Sequence, residues 1–237
     1  MPDSGYAVIR QNQPLQQHMV MDAGPLGFGK LAAHGHADAL NVILSVNGQP
    51  VLVDSGTWLY LGAGPERDRF RGTAAHNTLK IGGQDQSLPL GPFQWGQRAR
   101  PGFVHVFEED TRIILKAEHD GYRKQPGTVG RSLEFDKDST WILTDFVHGK
   151  RQHKMEAFYH VTTEPVVDDQ QVICEFDGFR VEFKFACEQT FSIDIQKQAH
   201  SPSFGARQDL PVIVISSNAQ CPFELRTEIR IRKDVQD

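Results

Sequence analysis

The feature that most limits this chain is a period of two. In GFRVEFKFAC, Val181, Phe183, Phe185 and Cys187 fall on one parity, and Arg180, Glu182 and Lys184 on the other. FELRTEIRIR repeats the pattern, with Phe223, Leu225, Ile229 and Ile231 alternating with charged residues. Side chains of a strand point to opposite faces in turn, so each run has one buried face and one wet face. YAVIR, FVHVFEE, TRIILKAEH, RSLEF, WILTDFV, EAFYHV and PVIVIS read as further strands. Asn47-Gly48 and Asp177-Gly178 suit two-residue type I′ hairpin turns, and Gly82-Gly83 is a weaker signal of the same kind. No long segment carries a helical period. A dozen or more short strands with turn residues between them predict an all-β fold, a large antiparallel β-sandwich with little helix. Pro202, Gly205 and Pro211 mark a long loop near residues 198–210. Residues 1–237 therefore read as a single domain.

Bulk properties narrow the class. The chain has 237 residues, 39% hydrophobic and 23% charged, as expected of a globular protein. No run of 18 apolar residues is available for a membrane span. The first ten residues, MPDSGYAVIR, lack the basic and apolar regions of a signal peptide. A net charge of −5 argues against nucleic acid as a partner. Cys174, Cys187 and Cys221 are too few to form a disulfide framework, and Cys187 reads as a buried thiol closing a strand.

One stretch concentrates chemistry. LAAHGHADALNVILSVNGQPVLVDSG, residues 31–56, holds His34, His36, Asp38 and Asp54, and His76 follows in FRGTAAHNT. The other seven of the ten histidines are scattered and read as surface or hydrogen-bonded residues. Gly35 allows close backbone approach between His34 and His36. Two histidines and one carboxylate can hold zinc with an open fourth position, or non-haem iron(II). Spacing favours Asp38 as the carboxylate, because residues i and i+2 share a strand face. A straight hairpin about Asn47-Gly48 sets Asp54 opposite Asn41, roughly 16 Å of extended strand from His36. Only a fold-back of HADAL before the strand could bring Asp54 in.

Taken together, HGHADALNVILSVNGQPVLVDSGTWLY and FRGTAAHNTLKIGG resemble the C-terminal β-sandwich domain of the heparinase II/III family of polysaccharide lyases. The close match covers about residues 20–100, and the rest agrees in being strand-rich. The resemblance implies a catalytic role for His34. It also implies a structural zinc ion held by His36, Asp54 and His76, with Asp38 as a supporting partner. That conflicts with the spacing argument, and the whole V-D-S-G word decides for Asp54.

The implied reaction is β-elimination on an anionic, uronate-containing polysaccharide such as a glycosaminoglycan or an exopolysaccharide. A base removes the proton beside the carboxylate, an acid protonates the departing oxygen, and the carboxylate charge is neutralised. Imidazole suits such proton transfer near neutral pH. The resemblance further implies a periplasmic or extracellular setting and an N-terminal helical toroid that supplies a catalytic tyrosine. Nothing here reads as that toroid, so a C-terminal piece of a longer polypeptide is expected, and a poor lyase alone. Residues 61–100 carry six basic and three acidic residues, a local +3 suited to an acidic sugar. Arg71 and Asn77, inside the FRGTAAHNT word, are the substrate-binding candidates. Trp58, Tyr60 and Trp95 could stack on sugars, with buried packing as the alternative. Two rival readings stand: an iron(II), 2-oxoglutarate oxygenase using His36, Asp38 and His76, and a non-catalytic carbohydrate-binding sandwich.

Overall fold

The computed structural model describes residues 4–109, 112–124, 127–136 and 140–234. Four strands open the chain: β1 (Tyr6–Gln11), β2 (Gln17–Asp22), β3 (Val42–Val46) and β4 (Gln49–Leu52), paired in that order. A short helix α1 (Pro65–Arg71) and a 3₁₀ turn (Thr73–Ala75) lead into β5 (Leu79–Ile81) and a small β6–β7 hairpin (Pro89–Gly91, Gln94–Trp95). Then come β8 (Pro101–Glu108), β9 (Arg112–His119), β10 (Val129–Asp136), β11 (Thr140–Val147) and β12 (Gln152–His160). The last six are β13 (Val166–Asp168), β14 (Gln171–Phe176), β15 (Phe179–Ala186), β16 (Ser192–His200), β17 (Gln208–Gln220) and β18 (Phe223–Lys233).

One eight-stranded sheet, β13-β14-β15-β18-β11-β10-β9-β8, forms a whole layer. A four-stranded sheet, β16-β17-β12-β5, and the sheet of β1 to β4 complete the fold, and every strand pair with a register is antiparallel. The two smaller sheets meet where Leu52 bridges Val161 and the Val53 N–H donates to the His160 carbonyl at 3.0 Å. Val42 and Leu44 from the first sheet, Phe183, Leu143 and Ile229 from the large one, and Tyr159 and Ile213 from the third share one apolar core. The predicted sandwich is the observed one.

Local details sharpen the sequence reading. Asn47 and Gly48 both take positive φ, at 49° and 77°, as a type I′ turn needs. Gly82 and Gly83 do the same, at 61° and 69°. At the Asp177-Gly178 hairpin only Gly178 has positive φ, so that turn is not type I′. The predicted loop at 198–210 shrinks, because β16 runs through His200 and β17 begins at Gln208. Thr111, at the head of TRIILKAEH, lies outside the described residues. Cys187 sits half-buried just past β15, and all three cysteines are free thiols. On β12, Phe158 packs with Val212, Val214 and Ala74, a cluster separate from the main core. So the segment carrying His76 is pressed against β12 and β17.

Candidate functional site

Three loops converge at this end of the sandwich. The first is a hairpin-like excursion between β2 and β3, closed by reciprocal Phe28–Ala33 backbone bonds of 2.9 and 3.1 Å. His34 sits on it at φ 62°, a conformation uncommon for a non-glycine residue. Gly35 is required here by space: a Cβ would lie 3.0 Å from both the Ala32 oxygen and the Gly27 nitrogen. HADAL then folds back. The Asn41 N–H donates to the Asp38 carbonyl at 2.9 Å, the Leu40 N–H donates to the Asp22 carbonyl at 2.7 Å, and Leu40 takes φ 64°. This turn is the bend that a straight hairpin lacked. The β3–β4 ladder also shifts register between Leu44 and Ser45. Asp54 does lie beside Asn41, whose amide donates to its carboxylate at 3.1 Å.

The second loop is the V-D-S-G word. Asp54 accepts from the Gly56 N–H at 2.9 Å, and the Ser201 N–H donates to the Ser55 carbonyl at 2.7 Å. Gly56 has φ 76°, and a Cβ there would lie 2.3 Å from the Ser201 oxygen, so only glycine fits. The third loop, Gly72 to Thr78, brings His76 in fully buried.

The donor atoms of His36, Asp54 and His76 all lie within 4.8 Å of one another, the sole such group of three among the described residues. Asp38 is not in it. The carboxylate that the structure gathers is Asp54, not the one favoured by strand spacing. The His76 Nδ1 and an Asp54 oxygen are 2.6 Å apart. Burial alone would raise Asp54 and lower His76. Their mutual attraction outweighs it, holding the carboxyl well below its usual range and raising the imidazole. Burial, reinforced by His76, pushes His36 down to about 3, so its ring is neutral near pH 7 and free to donate a lone pair. Burial likewise raises Asp38 to about 7. The His76 Nε2 is buried with no hydrogen-bond partner. An orphaned buried nitrogen beside a second imidazole and a carboxylate suits a cation.

His34 is exposed and stands apart from this group. Its ring meets Tyr60 edge-on at 5.0 Å and Phe93 at 5.8 Å. Tyr60 stacks in turn on Phe93 and Phe204, at 6.0 and 5.9 Å. Beneath the aromatic group lies Arg67, 4% exposed, its guanidinium 4.7 Å from the Tyr60 ring centre. Its Nε and Nη1 have no hydrogen-bond partner, and Nη2 reaches only the Pro92 carbonyl at 3.4 Å.

The two residues expected to bind substrate have other positions. Arg71 is buried. It bonds to the Asp68 carboxylate and to the carbonyls of Gly91 and Pro92, and it stacks on Trp95. Asn77 is also buried; its amide donates to the carbonyls of Val42 and Val53, and its oxygen accepts from the His160 N–H. Both are corrected here: these side chains brace the loops and have no free donor facing solvent. Trp95 is buried as packing predicts, whereas Tyr60 is the half-exposed neighbour of His34.

The chain matches the family described as heparinase II/III-like, C-terminal, over residues 1–230. It belongs to that family. A solved heparinase III superposes on it with a TM-score of 0.83 at 20% identity, over 99% of this chain and 35% of the other. The heparan sulfate lyase of Pedobacter heparinus gives 0.83 at 16% identity, over 100% and 36%. An alginate lyase of Stenotrophomonas maltophilia (strain K279a) is 31% identical over 129 residues, 50% of this chain and 16% of that protein. The chain thus spans about a third or less of each of these relatives, within a polysaccharide lyase context.

Sequence reasoning passed over four residues of this three-loop site. Arg67 and Phe93 carried no motif, although Arg67 lay in a basic run that was noticed. His160 donates to the Ala74 carbonyl at 3.1 Å, and burial lowers the His200 imidazole while Asp54 partly offsets it. Both are strand-end histidines on which Asp54 acts electrostatically, and that proximity shows only once β12 and β16 are assembled.

Proposed function

We propose that this domain is the sandwich half of a lyase that cleaves a uronate-containing polysaccharide by β-elimination, with His34 as a proton-transfer group. The observation that carries the reading is His34 itself. It is exposed on a constrained turn, held between Tyr60 and Phe93, and two residues from His36 of the group His36, Asp54 and His76. In the reaction the proton beside the uronate carboxylate leaves, the bond to the glycosidic oxygen breaks, and a carbon–carbon double bond forms between those two carbons. The departing oxygen takes a proton. Imidazole serves either transfer near neutral pH.

His36, Asp54 and His76 would hold one zinc ion. Bound there, zinc supplies cross-linking of three loops and needs no contact with substrate. The chain's own residues do the rest: the Phe28–Ala33 turn aims His34, and the aromatic rings limit its rotation. The Asp54 arrangement favours this reading over an oxygenase built on Asp38.

Phe28, Leu61 and Phe204, exposed at 82, 73 and 68%, lie on the loops around His34. Apolar surface of that kind is covered in a partner, and the proposed cover is a helical toroid domain of the same polypeptide. Substrate is then an anionic polysaccharide reached in the periplasm or outside the cell. No helix among the described residues is long and apolar enough to cross a membrane.

The test uses the parent polypeptide. Wild type should release unsaturated uronate ends that absorb in the ultraviolet. His34→Ala should lose that signal while keeping one zinc per chain. Residues acting as a unit are grossly non-additive, so the 237-residue chain by itself should be a poor lyase. A His34→Ala parent with wild-type turnover overturns the reading. Zinc lost from Asp38→Ala but retained by Asp54→Ala would favour the oxygenase instead. Polymer binding without elimination by the wild-type parent would favour a purely carbohydrate-binding sandwich.

A further inference from the structure

The hairpin that carries His34 has a second side. There Gly27, Gly29 and Gly96 line an open groove of about 610 Å³ together with Arg98, Arg100 and Arg123. That volume lies within the usual range of ligand sites. None of the groove's lining residues is acidic. Arg98 and Arg100 have no carboxylate partner among the described residues; the Arg98 guanidinium reaches only the Trp95 carbonyl, at 3.4 Å. Arg123 lies 3.6 Å from Asp120, and the Arg100 N–H donates to the other Asp120 oxygen at 2.9 Å. So of the three guanidiniums only that of Arg123 meets a carboxylate at the rim.

Like charges converging on a concave surface repel, and a bound anion relieves that repulsion. Guanidinium forks fit carboxylate and sulfate groups in particular. The glycines leave part of the floor bare: a Cβ on Gly29 would meet nothing within 4 Å. Leu26 and Pro101 give apolar wall, as the CH faces of a sugar ring require. These two residues also line the small cavity behind His36 and Asp38. The groove and His34 therefore share one excursion, Gly24 to His36.

We propose that this groove is a second binding site for an acidic saccharide, taking carboxylate or sulfate groups of a polymer whose cleaved unit lies at His34. It rests on the reading of the polymer as anionic. A chain seated in both places cannot slide freely, so the groove would fix which bond faces His34.

Titration calorimetry of the 237-residue chain tests it. The ligands are an unsulfated uronate tetrasaccharide, its sulfated counterpart and a neutral tetrasaccharide. Wild type should bind one or both acidic probes, weakening as salt rises, and the neutral probe at least ten-fold less well. Comparing the two acidic probes tells whether carboxylate or sulfate is read. The Arg98→Gln, Arg100→Gln double variant should bind at least ten-fold more weakly, with a shallower salt dependence and an unchanged melting temperature. Arg123→Gln should weaken binding less, since Asp120 already shares its charge. Equal affinity for the neutral probe, no acidic binding by wild type, or full affinity in the double variant overturns the groove. Elimination by the parent with arginine variants unaffected removes only the groove. Arginine-dependent binding without elimination removes only the catalytic reading.

Discussion

Two buried polar regions lie side by side in this fold, and they differ in how completely their atoms are paired. The first is built on Arg131, fully buried on β10. Its fork bonds both Asp145 oxygens, at 2.8 and 2.9 Å, and its Nη1 donates to the carbonyls of Leu40 and Asn77. Asn77 then ties β3, the end of β4 and the end of β12 together. Every nitrogen of that guanidinium has an acceptor. One residue before Asn77, His76 leaves Nε2 unpaired, and Arg67 leaves two nitrogens unpaired. Burying a polar group unpaired costs free energy, so natural folds seldom tolerate it without a use. The paired knot holds the loops; the unpaired group beside it is the one still able to take a ligand.

Breaking the knot should have the largest effect. Arg131→Met leaves Asp145, 2% exposed, as an unpaired buried charge. Removing one member of a buried pair costs about 3–5 kcal/mol. Urea unfolding at neutral pH should show that loss in zinc-free and zinc-loaded protein alike. A loss below about 1 kcal/mol would mean that the knot is not a structural centre.

Stripping the proposed zinc should act on the other region and by less. A ligand that binds only the folded state stabilises it by about 2.7 kcal/mol at a hundred times its Kd. Chelation should therefore lower the melting temperature of wild type, with zinc release confirmed by metal analysis. Asp54→Ala should bind little zinc and so respond little to chelator, while Asp38→Ala should respond as wild type does. An unchanged melting temperature after zinc loss would count against a structural ion.

Arg71 and Arg67 repeat the contrast within one short helix. Arg71→Met strands the carbonyls of Gly91 and Pro92, while the half-exposed Asp68 stays hydrated, and each lost hydrogen bond is worth about 0.5–1.5 kcal/mol. A stability loss near 2 kcal/mol is expected. Arg67→Met removes a buried cation that has no acidic partner, so stability should change by less than about 1 kcal/mol. The parent's kcat should nevertheless fall, because Tyr60 and Phe93 lose the cation beneath them and hold His34 less firmly. Unchanged kcat in Arg67→Met would show that the aromatic cage does not depend on it.

How much of this was legible beforehand depends on the range of the signal. Strands β15 and β18 were plain because every second residue is buried, a fact carried by nearest neighbours. The middle of β17 was harder: Val212 to Ile215 are all buried. Both faces are covered there, so alternation fails. The words around His36, Asp54 and His76 named the three residues whose donor atoms the fold gathers, while strand spacing pointed to Asp38. That argument assumed a straight hairpin, and the Asp38–Asn41 turn supplies the missing bend. Arg71 and Asn77 were misjudged for another reason. Their place in a sequence word says nothing about direction, and both side chains point inward. Tyr60, Phe93 and Phe204 come from three separate loops, so no local pattern announces that they meet beside His34.

The smallest effect concerns a histidine far from the three-loop group, and it tests whether unpaired burial always marks a ligand. His119, on β9, is 3% exposed; its Nδ1 accepts from the Gly121 N–H at 3.2 Å and its Nε2 has no partner. Among the described residues no carboxylate bonds it, and burial, partly offset by Asp120, pushes it down from 6.5 to about 4. The folded ring thus stays neutral at pH values where the unfolded ring binds a proton. With the folded value depressed, stability falls as pH drops below about 6.5 and levels off near 4. Between about pH 6.5 and 5.5 this single group should remove about 1 kcal/mol. His119→Gln keeps an acceptor and cannot titrate, so its urea stability should vary less with pH across that interval. Identical slopes in variant and wild type would show that His119 already takes a proton in the fold. Unlike His76, it bonds no carboxylate among the described residues, so the difference in slope between wild type and His119→Gln should be the same with and without zinc.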